Sequence, residues 1–315
     1  MPPSIHVLHE NPAWLPPLAE AFDRRRLPWT EWFLDSGTFD LSAPPPDGVF
    51  YNRMSASSHT RDHRFSAELT ASILAWLTRW GRRVVNGPGA LDLEISKTRQ
   101  YAALERFGID TPRTVLVAGR DQLIQATRRH FGDGPVILKP NRGGKGLGVR
   151  LFHTAAALGA YVDSTEYEPP VDGLQLLQEH IRAPRPVITR AEFVGGRFLY
   201  AVEVDTSQGF ELCPADACAT DGEAPPVKFR ILPGMPNSLR ERIEQFLAGS
   251  DIEVAGVEFI TDLTGRSLVY DVNTNTNYNP EAEARDGRIG TARSGPGAIA
   301  QFLGAELDRL HTRAA

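Results

Sequence analysis

Two short apolar runs constrain this chain more than any other stretch. Ala255-Gly-Val-Glu-Phe-Ile-Thr261 and Ser267-Leu-Val-Tyr-Asp-Val-Asn273 both alternate, and Thr264-Gly265 between them reads as a tight turn. A register symmetric about that turn sets Glu258 opposite Asp271 and Asn273 opposite Gly256. Side chains alternate along a strand, so Glu258, Asp271 and Asn273 share one face. Val257, Phe259, Tyr270 and Val272 are expected on the other.

Two carboxylates directly opposite each other lie about 5 Å apart at Cβ. Their repulsion is about 1 kcal/mol in water and about 3 kcal/mol at an effective dielectric of about 20. A solvated face tolerates that cost, whereas a divalent cation reverses its sign. Carboxylate and amide oxygens are hard ligands that suit Mg²⁺ or Mn²⁺. The hairpin alone leaves both readings open. The amide-rich loop Asn273-Thr-Asn-Thr-Asn-Tyr-Asn279 weighs toward the cation, because its short polar side chains suit ligand binding. Asn275 and Asn277 are therefore candidate substrate-binding residues.

A second segment carries its own chemistry. In Pro135-Val-Ile-Leu-Lys139-Pro-Asn-Arg142-Gly-Gly-Lys145-Gly-Leu-Gly148-Val, an apolar strand delivers Lys139 at its end. Four glycines then fall within six residues, Gly143 to Gly148. Glycine lets backbone N–H groups approach an anion closely, and lysine adds a point charge. The segment is neither a Walker loop nor a dinucleotide fingerprint. It reads either as a flap over phosphates or as a glycine hairpin with solvated basic residues.

Around these segments the pattern is α/β. Strands at Ser4–His9, Trp29–Leu34, Val49–Asn52 and Arg83–Asn86 alternate with helices near residues 11–26 and 63–80, which implies a parallel sheet. His6, His9, Trp76 and Trp80 read as structural. Gly87-Pro88-Gly89 marks a boundary, and one helix is expected from Ala90 to Phe107. A second α/β region follows, with strands near 114–117, 136–139, 149–152 and 174–179. Beyond Ile181 the chain turns strand-rich, with helices near 236–247 and 295–313.

The net charge of −5 lacks the basic excess of a general nucleic-acid binder, so no nucleic acid is expected as a partner. No apolar run approaches the roughly 20 residues of a membrane span, and Met1–Glu10 lacks a signal pattern. The two cysteines, Cys213 and Cys218, lack a second pair and read as plain buried thiols in a reducing compartment. A cytoplasmic location is expected.

In order along the chain, Ser96-Lys97, Val136-Ile-Leu-Lys139-Pro, Gly143–Gly148, Leu177-Gln-Glu-His-Ile181, Arg190, Gly256-Val-Glu258 and Tyr270-Asp-Val-Asn273 resemble the ATP-grasp superfamily. The likeness is closest to RimK-type amino-acid ligases, with glutathione synthetase more distant, and covers roughly residues 86–280. It implies an α/β ATP-grasp fold of α+β lobes behind a parallel-sheet pre-ATP-grasp domain. Residues 1–88 would form that first domain, on the substrate side. Residues 89–315 would form the ATP-grasp domain, with a lid or central part at 110–181 and a metal-binding part at 182–315.

The resemblance also implies roles. Lys97 and Lys139 would contact ATP phosphates, and Gly143, Gly144, Lys145, Gly146 and Gly148 would close over them. Gln178, Glu179, His180 and Ile181 would form the hinge strand against adenine. Glu258, Asp271 and Asn273 would hold Mg²⁺. Arg190, Lys139 and Arg230 would serve catalysis by neutralising charge. The position where RimK-type ligases carry a ribose-binding acid is Ile188 here, with Glu192 a candidate substitute. The relatives' Ser-Pro-Gly turn after the metal asparagine is replaced by Thr274–Asn279, and Cys213–Cys218 has no counterpart.

In the first lobe, Tyr51-Asn-Arg53-Met-Ser55 and Ser57-Ser-His59-Thr-Arg61 follow a strand end. Arg53, His59 and Arg61 there suit a carboxylate-bearing substrate, or else a polar loop with helix-capping serines. The implied reaction is amide or peptide bond formation through an acyl phosphate, with ADP and phosphate released. Its substrates would be a small carboxylate and an amine, an amino acid or a small peptide. The rival readings are a phosphotransferase, a non-catalytic ATP-binding module and a ligase acting on a protein terminus. Homo-oligomerisation stays open.

Overall fold

The computed structural model describes residues 2–207 and 228–314; Cys213 and Cys218 lie outside the described residues. Near the N-terminus, short runs bounded by turn residues become a sheet whose two inner strands are buried on both faces, while the outer two are more exposed. The strands are β1 (Ser4–His9), β2 (Trp29–Phe33), β3 (Gly48–Asn52) and β4 (Arg83–Val85), ordered β2-β1-β3-β4 and all parallel. Alternation sorts their side chains to two sides. Ile5, Val7, Val49 and Tyr51 pack against α1 (Pro16–Arg24), and Leu8 and Phe50 against α2 (Ser66–Arg79). His6 and His9 are buried here, bonded to Thr30 and Glu31.

The single helix expected from Ala90 to Phe107 is two. α3 (Pro88–Glu94) ends before Ser96, whose hydroxyl accepts from Arg99 N and caps α4 (Lys97–Arg106). A serine side chain can satisfy an orphan N–H at a fresh helix start, which makes a break there favourable. Lys97 is thereby placed in the first turn of α4.

The second sheet comprises β5 (Thr114–Ala118), β6 (Val136–Pro140), β7 (Arg150–Phe152) and β8 (Leu174–Glu179) in the order β5-β8-β6-β7, all antiparallel. Helices α5 (Leu123–Phe131) and α6 (Ala155–Asp163) share its apolar core. The third sheet is also antiparallel, with order β11-β10-β9-β12-β13. Its strands are β9 (Val187–Val194), β10 (Arg197–Asp205), β11 (Phe229–Leu232), β12 (Val254–Thr261) and β13 (Ser267–Asn273). α7 (Asn237–Gly249) and α4 cover the face carrying Val257, Phe259, Val269 and Val272. β11 and α8 (Pro280–Arg285) are two elements the sequence pattern did not suggest.

The hairpin of β12 and β13 adopts the expected register at its inner end, with Glu258 opposite Asp271 and Gly256 opposite Asn273. One residue is then extra. Phe259 pairs with Val269, so Tyr270 is a bulge. The bulge turns Tyr270 away from Val257, Phe259 and Val272 and into the cluster of Ile188 and Ile260, correcting the face assigned to it above.

The last helix, α9 (Gly295–Ala314), returns to the first sheet, where Ile299, Leu303 and Leu307 pack with Ile5, Val7 and Leu18. Polar contacts reinforce the joint. Arg83 on β4 pairs with Glu253 and with Glu306 of α9. Asn86, fully buried with φ +58°, accepts from Glu253 N and Val254 N and donates to Val254 O and Thr274 O. Asparagine tolerates this left-handed backbone better than most residues. Among the described residues no helix is long and apolar enough to cross a membrane.

Asn86→Ala removes four buried hydrogen bonds at this joint and is expected to lower stability by about 2–4 kcal/mol in urea unfolding. A loss below about 0.5 kcal/mol would show that the joint is not held this way.

Candidate active site

The third sheet sets up a row of charges across three neighbouring strands. Arg190 on β9 faces Glu258 on β12, which faces Asp271 on β13. Arg190 Nη1 lies 2.7 Å from Glu258 Oε1, and its Nε lies 2.7 Å from Glu192 Oε1. Its Nη2 donates to Thr276 Oγ1 at 2.7 Å. Gly256 makes room for the guanidinium, because a Cβ there would fall 2.5 Å from Arg190 Nη2.

Two lysines complete the cluster. Lys97 Nζ, delivered by the first turn of α4, donates to Asp271 Oδ1 at 2.5 Å. Lys139, at the end of β6, comes near enough to Asp271 for the two charges to interact, and lies 3.5 Å from Tyr270 O. Its ammonium donates to the Tyr101 hydroxyl at 2.5 Å and lies 5.3 and 5.7 Å from the Tyr101 and Tyr270 ring centres.

The electrostatics divide the two lysines. Burial and the adjacent Lys97 ammonium lower the Lys139 pKa from 10.5 to about 7. Burial also opposes charge on Lys97, but Asp271 outweighs it and holds that pKa above the ordinary value. Burial raises Asp271, and Lys97, Lys139 and Arg190 together overcome this, so its carboxyl stays below the usual range. Glu258 is pushed up by burial, with Arg190 opposing and Asp271 adding to the rise.

These groups line one cavity of about 690 Å³ between the three sheets. Gly143, Gly144, Lys145 and Gly146 form its flap-like wall, and Gln178, Glu179, His180 and Ile181 of β8 and the residues after it form another. Asn273, Asn275 and Asn277 close the end nearest the first lobe. The Gln178 amide itself turns inward to Tyr101 and Thr114. The flap is tied to its surroundings. The Asn141 amide oxygen accepts from Thr98 N at 3.0 Å, Arg142 pairs with Glu68 of α2, and Lys145 lies over the Trp14 ring at 4.9 Å.

Other predicted residues do not line this cavity. Gly148 lies at the base of the flap, with φ +74°. Arg230, on the outer strand β11, is exposed and pairs with Glu203. Arg53 is buried and donates to Trp14 O, Thr276 O and Asn277 Oδ1, so it braces the asparagine loop from behind. Arg61 pairs with the buried Glu10 and lies over the Trp14 ring at 5.1 Å. His59 sits behind the wall, its pKa lowered by burial and by Arg142. Ile188 does line the cavity, whereas Glu192 is spent on Arg190 and Thr276.

Several residues at or beside the cavity escaped the sequence reading. Tyr101 lies one turn after Lys97 on α4, a spacing that puts both on one face. Glu94 lines the wall and accepts from Ala56 N, Thr274 N and the Thr274 hydroxyl, with burial raising its pKa. Trp14 precedes the first helix and carried no signal beyond its size.

Solved structures share this architecture along nearly the whole chain. A RimK domain ATP-grasp protein from Sphaerobacter thermophilus matches with a TM-score of 0.65 at 18% identity, over 95% of this chain and 98% of that one. This is the ATP-grasp fold. D-cycloserine synthetase DcsG shares it with a TM-score of 0.65 at 18% identity, over 98% of this chain and 100% of that one. So does the ATP-grasp ligase PsnB, solved with a minimal precursor, Mg and ADP, with a TM-score of 0.64 at 15% identity, over 96% of this chain and 97% of that one.

In sequence, 152 residues are 30% identical to a "Probable alpha-L-glutamate ligase" of Teredinibacter turnerae, 46% of this chain and 48% of that one. A protein of the same name from Vibrio vulnificus is 29% identical over 132 residues, 41% of this chain and 42% of that one. The chain thus spans about half the length of the curated relatives it matches. No family model matches it.

Among the described residues no three His, Cys, Asp or Glu side chains gather as a metal cage. Two opposed carboxylates and one amide are a set that fits Mg²⁺, which keeps several waters and takes its remaining oxygens from phosphates.

The lowered Lys139 pKa makes a stability claim. Above about pH 10 the lysine is neutral in both folded and unfolded chains. Between there and pH 7 only the unfolded chain holds the proton, so stability rises with pH through this window. Below pH 7 the full cost of the buried charge is present. Lys139→Met is therefore expected to stabilise the fold at pH 6 by on the order of 3 kcal/mol, the gain shrinking toward pH 10. Urea midpoints that differ equally at pH 6 and pH 9.5 would contradict it.

Proposed function

We propose that this chain is an ATP- and Mg²⁺-dependent carboxylate–amine ligase. The observation that carries this reading is one cavity holding the Lys97–Asp271 pair, the Arg190–Glu258 pair, Lys139 and the glycine flap. The lysines supply point charge for phosphates, and the flap's backbone N–H groups suit the same anion. Glu258, Asp271 and Asn273 would hold Mg²⁺, which when bound neutralises phosphate charge.

The chemistry needs positioning and water exclusion more than proton transfer. A substrate carboxylate attacks the γ-phosphate, giving an acyl phosphate and ADP. The amine then attacks the acyl carbon and releases phosphate. Arg190, fixed by Glu192, Glu258 and Thr276, is aimed to stabilise the charge that develops at the acyl phosphate. The flap, tied to the first lobe through Trp14 and Glu68, shields this intermediate from hydrolysis.

The hinge residues from Gln178 to Ile181 would hold adenine. Asn275 and Asn277 would meet the substrate, with Arg53 bracing their loop rather than touching it. We assign residues 1–88 to the substrate side and 89–315 to the ATP-grasp part, acting in the cytoplasm. The names of relatives support an amino acid or peptide as substrate. They include glutamate ligases, PsnB with a precursor peptide and the macrocyclase MdnC bound to precursor peptide MdnA.

The deciding experiment is ATP turnover across a panel of amino acids and short peptides, read for ADP, phosphate and a new amide mass. AMP in place of ADP would overturn the acyl-phosphate step, and ADP with a phosphorylated product would make the protein a kinase. Asp271→Asn and Glu258→Gln are each expected to abolish turnover while the circular dichroism spectrum is kept. Near-normal activity in both would remove them from the metal site. Gly256→Ala, which crowds the Arg190 guanidinium, is expected to cut turnover roughly 100-fold, and an unchanged rate would mean Arg190 has no role in the reaction.

A further inference from the structure

Each carboxylate of the Glu258–Asp271 pair already holds a cation from the chain itself. Arg190 on Glu258 is fixed by three partners, Glu192, Glu258 and Thr276. Lys97 differs: its only bonded side-chain partner among the described contacts is Asp271. Glu94 and Glu258 lie close enough to favour its charge, and Lys139 feels it as a like charge. A lysine is also a flexible point charge, able to change partner where a guanidinium fork is not. The ammonium is buried, with its side chain 9% exposed, and lines the same cavity as the flap.

We propose that Lys97 gates the metal pair. Without a polyphosphate in the cavity, its ammonium occupies Asp271 and repels a divalent cation from that carboxylate. When nucleotide phosphates enter beneath the flap, Lys97 exchanges Asp271 for them and frees the carboxylate for the ion. Metal and nucleotide then favour each other's binding, and the coupling is reciprocal by linkage. This rests on the ATP and Mg²⁺ reading above and adds to it an order of events and a residue that enforces it. No atom is transferred; the exchange is of ion-pair partners only.

The gate is tested on the full chain with Mn²⁺ as probe, its free concentration followed by electron paramagnetic resonance. Without nucleotide, Lys97→Met and Lys97→Gln are each expected to bind Mn²⁺ at least about tenfold more tightly than the native chain, because a like charge beside the site is gone. Lys97→Arg keeps the charge and is expected to keep the weak binding. Adding Asp271→Asn to Lys97→Met is expected to abolish the gain, which ties it to this carboxylate.

A non-hydrolysable ATP analogue is expected to bring Mn²⁺ onto the native chain beyond what the analogue holds alone. Native affinity equal to that of Lys97→Met without nucleotide overturns the gate, while binding with the analogue leaves the ligase reading standing. If native chain and analogue together take up no more Mn²⁺ than the analogue does, the metal assignment falls and the gate with it. Should Lys97→Met fail to fold, the Lys97→Gln and Lys97→Arg comparison decides, since the two differ in charge and both keep a donor.

Discussion

The site depends on one electrostatic arrangement, two carboxylates held face to face across a hairpin and kept ionisable by cations on either flank. Without Lys97 and Arg190 the Glu258–Asp271 pair would combine burial with like-charge repulsion, and both groups would tend to protonate. With them the row Arg190–Glu258–Asp271–Lys97 alternates in sign across the third sheet and into α4. The Ser96 cap, the close pass at Gly256 and the Thr276 hydroxyl all serve to keep that row in line.

The three sheets divide the labour around this row. The third sheet presents the carboxylates, the second brings Lys139 and the flap, and the first supplies the wall against which the flap rests. α9 and the Arg83–Glu253–Glu306 triad join the first sheet to the third. The second sheet meets them through the bond from Thr98 N of α4 to Asn141, the bond from Lys139 to Tyr101, and the flap's contacts with Glu68 and Trp14.

Much of this was legible from residues alone, for physical reasons. The Thr264-Gly265 turn sets a register, and a period of two then dictates which side chains face one another, so the opposition of Glu258 and Asp271 could be read directly. The parallel first sheet followed from alternating strand and helix patterns. What stayed hidden depends on distant partners. The bulge at Tyr270 is a property of two strands together. Arg53 and Arg61 have the composition of ligands, yet their bonds run to Asn277 and Glu10, which no local pattern links to them. Arg230 sits on β11, an edge strand defined by its pairing with β10 rather than by any local pattern. Asn86 resembles a strand end, and only the packed joint shows that its amide holds three segments.

Two cations lie against the Trp14 ring, Arg61 of the first lobe at 5.1 Å and Lys145 of the flap at 4.9 Å. The first is locked in place by Glu10; the second rides on the glycine segment. The indole therefore joins the first lobe to the glycine segment through two cation–π contacts on a single ring. The four other tryptophans, Trp29, Trp32, Trp76 and Trp80, also belong to the first lobe, but Trp14 alone of the five lines the cavity.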